Sequence, residues 1–393
     1  MDTAYLLEVA GLLGRWLHVI VAVAWIGSSF YFVWLDDSLE PVQDAQRQAA
    51  GVSGEIWSVH GGGFYHAQKY PLGPARLPSG LHWFYWESYS TFLSGFFLLS
   101  VLYYAQAPAL MIDPAKWALL PWQSIALSLG VLVGGWLAYD TLCRILIERS
   151  QLVLGAVYYV FVLAVAWGLL HVFQGRAAYL HIGAMIATTM SANVFFWIIP
   201  GQRKVTAALR AGEPVDPIYG KRGKQRSVHN NYLTLPVLFC MISNHYAFTY
   251  GNTHAWSVLA LSLLAAVLIR HFFNLRHKGR VAWQYPAGGV SLLLLAFWLA
   301  MPATLALSGS APTLAQVQPI VQARCVPCHA AQPRLVPAPP LGVMLDTEAG
   351  IRANASRIVQ QAAILRAMPM GNVTQITEQE RKTLLDWSAG GYR

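Results

Sequence analysis

The chain has 393 residues, 55% of them hydrophobic and only 11% charged, with a formal net charge of +9. Soluble domains carry about 25% charged residues, so the composition excludes an ordinary soluble protein and places most of the chain in lipid. A charge of this sign would suggest nucleic acid in a soluble domain. In so apolar a sequence it is read as membrane topology, and no nucleic-acid partner is expected.

Eight stretches are long and apolar enough to cross the roughly 30 Å of a bilayer's hydrocarbon. They run Leu7–Trp34, Trp83–Tyr104, Ser124–Leu142, Leu152–His171, His181–Ile199, Tyr232–Tyr250, Ala255–Phe272 and Ala287–Leu307. Asp2 and Glu8 precede the first basic residue, Arg15, so the positive flank of a cleavable signal is missing and the first stretch is expected to stay as a helix. Loops after the first, third, fifth and seventh stretches hold most lysines and arginines. Those after the second, fourth and sixth hold one, one and none. The basic loops are therefore read as cytoplasmic and both termini as periplasmic.

Between the first two stretches, Leu35 to His82 forms a long connection, and long loops are often functional. It runs into the second stretch through IWSVHGGGFYHAQKYPLGPARLPSGLHWFYWESY (Ile56–Tyr89), which concentrates histidines, glycines and aromatics around Glu87. Ionisable residues within membrane helices default to a functional reading. His18, His181 and His245 fall in one outer layer and are candidate axial ligands of a b-type haem; the competing reading is hydrogen-bonded packing. Cys143 and Cys240 lie in apolar segments as free thiols.

Beyond Ser308–Pro312 (SGSAP) the chain becomes more polar. The expected division is a membrane domain, 1–308, and a periplasmic class I-like cytochrome c domain, 309–393. Cys325-Val-Pro-Cys328-His329 has the spacing of c-type haem attachment: two thiols for the vinyl groups and a histidine for the iron. A zinc site would need a second pair of ligands nearby. Leu314–Ala323 reads as a helix entering the motif and Thr347–Ala363 as a second helical stretch. Thr377-Glu-Gln-Glu380 is a capping box that opens a last helix. A methionine opposite the histidine would raise the potential. Met368, directly before a proline, is favoured over Met370 and Met344. The predicted fold class is thus all-α: a polytopic bundle of about eight transmembrane helices fused to a small cytochrome.

The whole chain resembles the bacterial membrane-bound, cytochrome c-linked urate oxidases. The resemblance is carried by GRWLHVIVAVAWIGSSFYF in the first helix, by VHGGGFYHAQKY and LHWFYWESYSTFLSG around the second, and by CVPCH with AMPMGN near the end. It implies oxidation of urate to 5-hydroxyisourate at the bacterial inner membrane. Electrons would leave through one covalent haem c to a respiratory acceptor, a soluble cytochrome c or a terminal oxidase, without hydrogen peroxide. For such a substrate, His60, His66, His82 and Glu87 are the candidate acid–base groups. Arg76, Lys69, Trp83 and Trp86 are the candidate contacts to a flat anion. Two other readings stay open: a subunit passing quinol electrons to cytochrome c, and a membrane sensor or transporter with a redox tail.

Overall fold

The computed structural model describes residues 3–146, 150–301 and 311–392. The tail of the eighth predicted stretch beyond 301 and the expected domain boundary at 308/309 lie outside the described residues. In chain order the elements are α1 (Thr3–Asp37), α2 (Ala45–Ala49), β1 (Gly54–His60), β2 (Gly63–Lys69), α3 (Trp86–Leu98), α4 (Ala107–Leu110), α5 (Pro121–Ile145) and α6 (Gln151–Val172). Then come α7 (Gly175–Asn193), α8 (Ile199–Ala211), α9 (Pro217–Ser243), α10 (Ala247–Tyr250), α11 (Ala255–His277) and α12 (Gln284–Leu299). The C-terminal unit adds α13 (Leu314–Arg324), α14 (Glu348–Ala353), α15 (Ala355–Ile358) and α16 (Glu378–Ala389).

Among the described residues, five helical segments are long and apolar enough to cross a membrane: Leu6–Asp37, Pro121–Ile145, Gln151–Val172, Gly175–Ala211 and Ala255–His277. α3 continues as a π turn through Leu99–Tyr104, and α12 is a shorter apolar helix. Leu12, Trp16 and Val23 of α1, Leu152, Val160 and Trp167 of α6, and Leu294 and Trp298 of α12 all point outward and are exposed. An apolar surface of this extent is not tolerated on a soluble monomer. Inside this ring α7 is buried along its length against α5 and α9.

Two expectations are corrected. The chain is not all-α: β1 and β2 form an antiparallel hairpin in which Gly54 pairs with Lys69 and His60 with Gly63. Gly61 and Gly62 close it with φ of +58° and +81°. A two-residue turn whose twist suits a hairpin needs positive φ at both positions, which glycine supplies without strain. The glycine run is thus turn chemistry. Second, the sixth predicted stretch begins too late and ends too late. α9 starts at Pro217, so the polar run read as loop is helical, and it stops at Ser243.

The C-terminal unit has its own core of Val317, Val321, Ile351, Leu384 and Trp387. The capping box is present: Glu380 N–H donates to Thr377 Oγ1 at 3.2 Å, and Thr377 N–H to the Glu380 carboxylate at 2.7 Å. The second predicted helical stretch is broken into α14, α15 and a π turn. The unit touches the bundle where two glycines allow backbones to meet. A Cβ on Gly251 would lie 2.6 Å from the Leu365 carbonyl oxygen, and one on Gly371 would strike the Ala109 carbonyl and the Gln174 amide. Gly371 also has φ +66°.

Gly371→Val is therefore expected to release the C-terminal unit from the bundle. Limited proteolysis in detergent should separate the two at lower protease concentration than in wild type, with helical content by circular dichroism unchanged. An unchanged cleavage profile would remove the role given to this contact.

Candidate functional site

The loop residues singled out in the sequence are not gathered into one cavity. His66 lies in β2, with Nε2 2.9 Å from Glu55, and stacks on Trp57 with ring centroids 4.4 Å apart. His60 ends β1 beside the turn. Lys69 pairs with Asp36, and Arg76 is exposed. His82 meets Phe84 edge-on at 4.5 Å. Trp86 is exposed. Glu87, in the first turn of α3, keeps one buried carboxylate oxygen without a hydrogen bond. Trp83 lines a groove with Arg203 and Arg210 of α8.

A different set of residues does converge. α9 is opened by Asp216, whose side chain accepts the Ile218 N–H at 2.9 Å, with Pro217 at its first position. It then carries Arg222, Gln225, Arg226, His229 and Asn230, spaced so that they share one helical face. Side chains of that face reach Tyr139, Asp140 and Cys143 at the end of α5, and the face packs on the π turn Val194–Ile198 that joins α7 to α8. Pro200 has no N–H to offer the carbonyl four residues back, and the helix widens just before it. Trp197 sits on that widened turn.

Asp140 lies at the centre. Arg226 Nη2 donates to Asp140 Oδ1 at 2.8 Å and Arg144 Nε to Oδ2 at 2.7 Å. The Asp140 and Arg226 side chains are only 7% and 4% exposed. Arg226 also donates to Asn193 Oδ1 at 3.3 Å, and Asn193 Nδ2 donates to Asn230 Oδ1 at 2.9 Å and to the Tyr139 hydroxyl at 3.2 Å. Tyr139 Oη is 2.7 Å from His229 Nδ1, and His229 Nε2 is 2.8 Å from Gln151 Oε1. With the Gln151 oxygen as acceptor, Nε2 carries the hydrogen and Nδ1 accepts the tyrosine hydroxyl. Beside this network a cavity of about 260 Å³ is lined by Cys143, Arg144, Trp197, Arg222, Gln225 and Arg226. Two guanidinium groups share one carboxylate, and Arg222 has no carboxylate within 4 Å among the described residues. The layer is net positive and suited to an anion.

These residues escaped a search centred on histidine. One signal was available: Asp140 falls inside the third predicted stretch, and a carboxylate there calls for a partner.

In the outer layer, His181 and His18 are held by hydrogen bonds. His181 is fully buried with both ring nitrogens engaged, Nδ1 at 2.7 Å from the Ala177 carbonyl and Nε2 at 2.7 Å from Ser128 Oγ. His18 Nδ1 is 2.9 Å from Ser94 Oγ. As arranged, His181 has no ring nitrogen left for an iron.

The C-terminal motif does fit its group. The chain turns tightly after α13, with Cys328 N–H donating to the Cys325 carbonyl at 3.1 Å and His329 N–H to the same oxygen at 2.9 Å. Both cysteines are free. Burial pushes the Cys325 thiol up to about 12 and raises that of Cys328. His329 Nδ1 lies 3.1 Å from the Val343 carbonyl. A carbonyl only accepts, so Nδ1 carries the hydrogen and Nε2 keeps the lone pair an iron would need. Met368 is packed against the unit's core. Its N–H donates to the Gln361 carbonyl at 3.0 Å and its own carbonyl accepts from Arg381 at 3.0 Å. Met370 and Met344 are exposed.

Asp140→Asn should leave the buried Arg226 without its carboxylate and cost about 3–5 kcal/mol. Arg144→Gln, which removes a largely exposed partner, should cost no more than about 1 kcal/mol. Thermal unfolding in detergent checks the contrast, and equal losses would contradict it.

No curated protein and no solved structure matches the chain. The family model described as urate oxidase, N-terminal, matches residues 4–301, well over half of the 393 residues. The match spans the bundle and the charged layer described above, and the chain belongs to the urate oxidase N-terminal family.

Proposed function

We propose that this protein is a membrane-bound urate oxidase that passes electrons to a haem c held by its own C-terminal unit. The observation that carries the reading is that one chain joins a urate oxidase match over residues 4–301 to a Cys-x-x-Cys-His unit with its own core. The proposed half-reaction takes urate and one water to 5-hydroxyisourate, releasing two electrons and two protons. Covalent haem c would supply a one-electron acceptor.

The residues of this chain have separable tasks in that scheme. Cys325 and Cys328 offer the two thiols, and His329, oriented by the Val343 carbonyl, offers Nε2. Met368, fixed at both its N–H and its carbonyl, would offer a thioether sulfur to the iron. In the bundle, His229 Nδ1 accepts the Tyr139 hydroxyl, so the pair would take a proton from a reacting water by relay, water to Tyr139 and Tyr139 to His229.

The exposed apolar surface supports a position in a membrane, and eight crossings of a bacterial inner membrane belong to the proposal. The basic loops support a cytoplasmic position for the charged layer and a periplasmic one for the C-terminal unit. A soluble cytochrome c or a terminal oxidase would take the electrons onward.

Purified protein mixed with urate under anaerobic conditions, with no quinol present, should show the reduced haem c absorption band and form 5-hydroxyisourate. Hydrogen peroxide should not accumulate in air. Haem that is reduced by quinol and not by urate would make the chain an electron-transfer subunit instead. Met368→Ala should keep covalent haem, lower its potential and slow its reduction by urate. If Met370→Ala does this and Met368→Ala does not, the ligand assignment is wrong.

A further inference from the structure

We propose that the cavity beside Trp197 is a binding site for a planar anionic heterocycle. On the reading of function just given, which this inference rests on, that ligand is urate.

Size sets the first limit. Ligand pockets start at roughly 300 Å³, and this one, at about 260 Å³, excludes a nucleotide while leaving room for a small bicyclic molecule. Charge sets the second. Three arginines line the cavity, and the one carboxylate they contact, Asp140, is shared by Arg144 and Arg226. The third, Arg222, brings a positive charge with no carboxylate within 4 Å among the described residues. An anion is the complement such a wall lacks.

Shape sets the third. The guanidinium carbons of Arg144, Arg222 and Arg226 lie 5.1, 5.7 and 5.0 Å from the centre of the Trp197 ring. Guanidinium groups held over one aromatic ring present forked donors side by side, which suits a flat ligand edged with carbonyl oxygens, because guanidinium groups bond such oxygens in pairs and stack on π faces. Gln225 adds an amide that both donates and accepts, as the alternating C=O and N–H groups of an oxidised purine require.

Arg226 is held by Asp140 and Asn193, and so is already oriented before a ligand arrives. Cys143, on the cavity wall, is 4.0 Å from His229 Nδ1, so the Tyr139–His229 pair lies just behind that wall. No group of three or more histidine, cysteine or carboxylate side chains able to hold a metal occurs among the described residues, and the cavity's polarity is that of an anion site.

The claim is of binding, so the test reads occupancy. Full-length protein, its haem held reduced by dithionite so that urate is not consumed, is titrated with radiolabelled urate in detergent. Wild type should bind, and Arg222→Gln and Trp197→Leu should each weaken the affinity by roughly tenfold or more. Arg203→Gln, in the groove beside Trp83, should bind as wild type does, and inorganic phosphate should compete far less well than urate.

If wild type binds urate and both cavity variants bind it equally well, or if only Arg203→Gln loses affinity, the site is elsewhere and the proposed function survives. If phosphate displaces urate at matching concentration, the cavity is a general oxyanion site and the proposal is wrong. If wild type neither binds urate nor is reduced by it, function and site fall together. Should Trp197→Leu fail to fold, Arg222→Gln, on the partly exposed rim, still decides the question.

Discussion

The arrangement of the bundle's polar end depends on one ion pair, Asp140 with Arg226, closed off between apolar helices. Two charges removed from water are tolerated only when their remaining hydrogen-bonding capacity is met. Arg144 takes the second carboxylate oxygen, and Asn193 takes another guanidinium hydrogen. Asn230, Tyr139, His229 and Gln151 then complete each other in turn. The same demand accounts for the early start of α9. As a helix, its polar first half satisfies its own backbone and delivers side chains at the spacing the network needs.

A second constraint is separation. Gln151, which bonds His229, opens α6, and Gln174, which meets the C-terminal unit, follows its end. The 22 residues of α6 put the charged layer and that contact about 33 Å apart at ~1.5 Å per residue. On the proposed reading, anion capture and electron acceptance would lie at opposite ends of this helix. The histidines between them are tied to backbone and hydroxyl groups, as His181 is by Ala177 and Ser128.

The C-terminal motif was legible because its chemistry is local. Two thiols and an imidazole within five residues need no tertiary contact to be recognised, and the capping box is equally local. The methionine proposed as a second ligand is not local in this sense. Met368 and Met370 differ by two positions, and what separates them is that Met368 packs inward with its backbone bonded on both sides. The meaning of the glycine run after His60 is conformational, and it is visible only once β1 and β2 are paired.

By itself the sequence determined that the chain is largely helical and apolar, that it carries haem-attachment spacing near its end, and that short motifs along it resemble membrane urate oxidases. Each of these follows from composition, from periodicity or from residues close together in the chain. The tertiary structure alone decided which polar groups meet. Asp140 and Arg226 are 86 positions apart, and Trp197 joins them from a third helix. No local pattern encodes that encounter, because it is made by the packing of α5, α7 and α9, and a buried charge takes its meaning from the partner that packing brings to it.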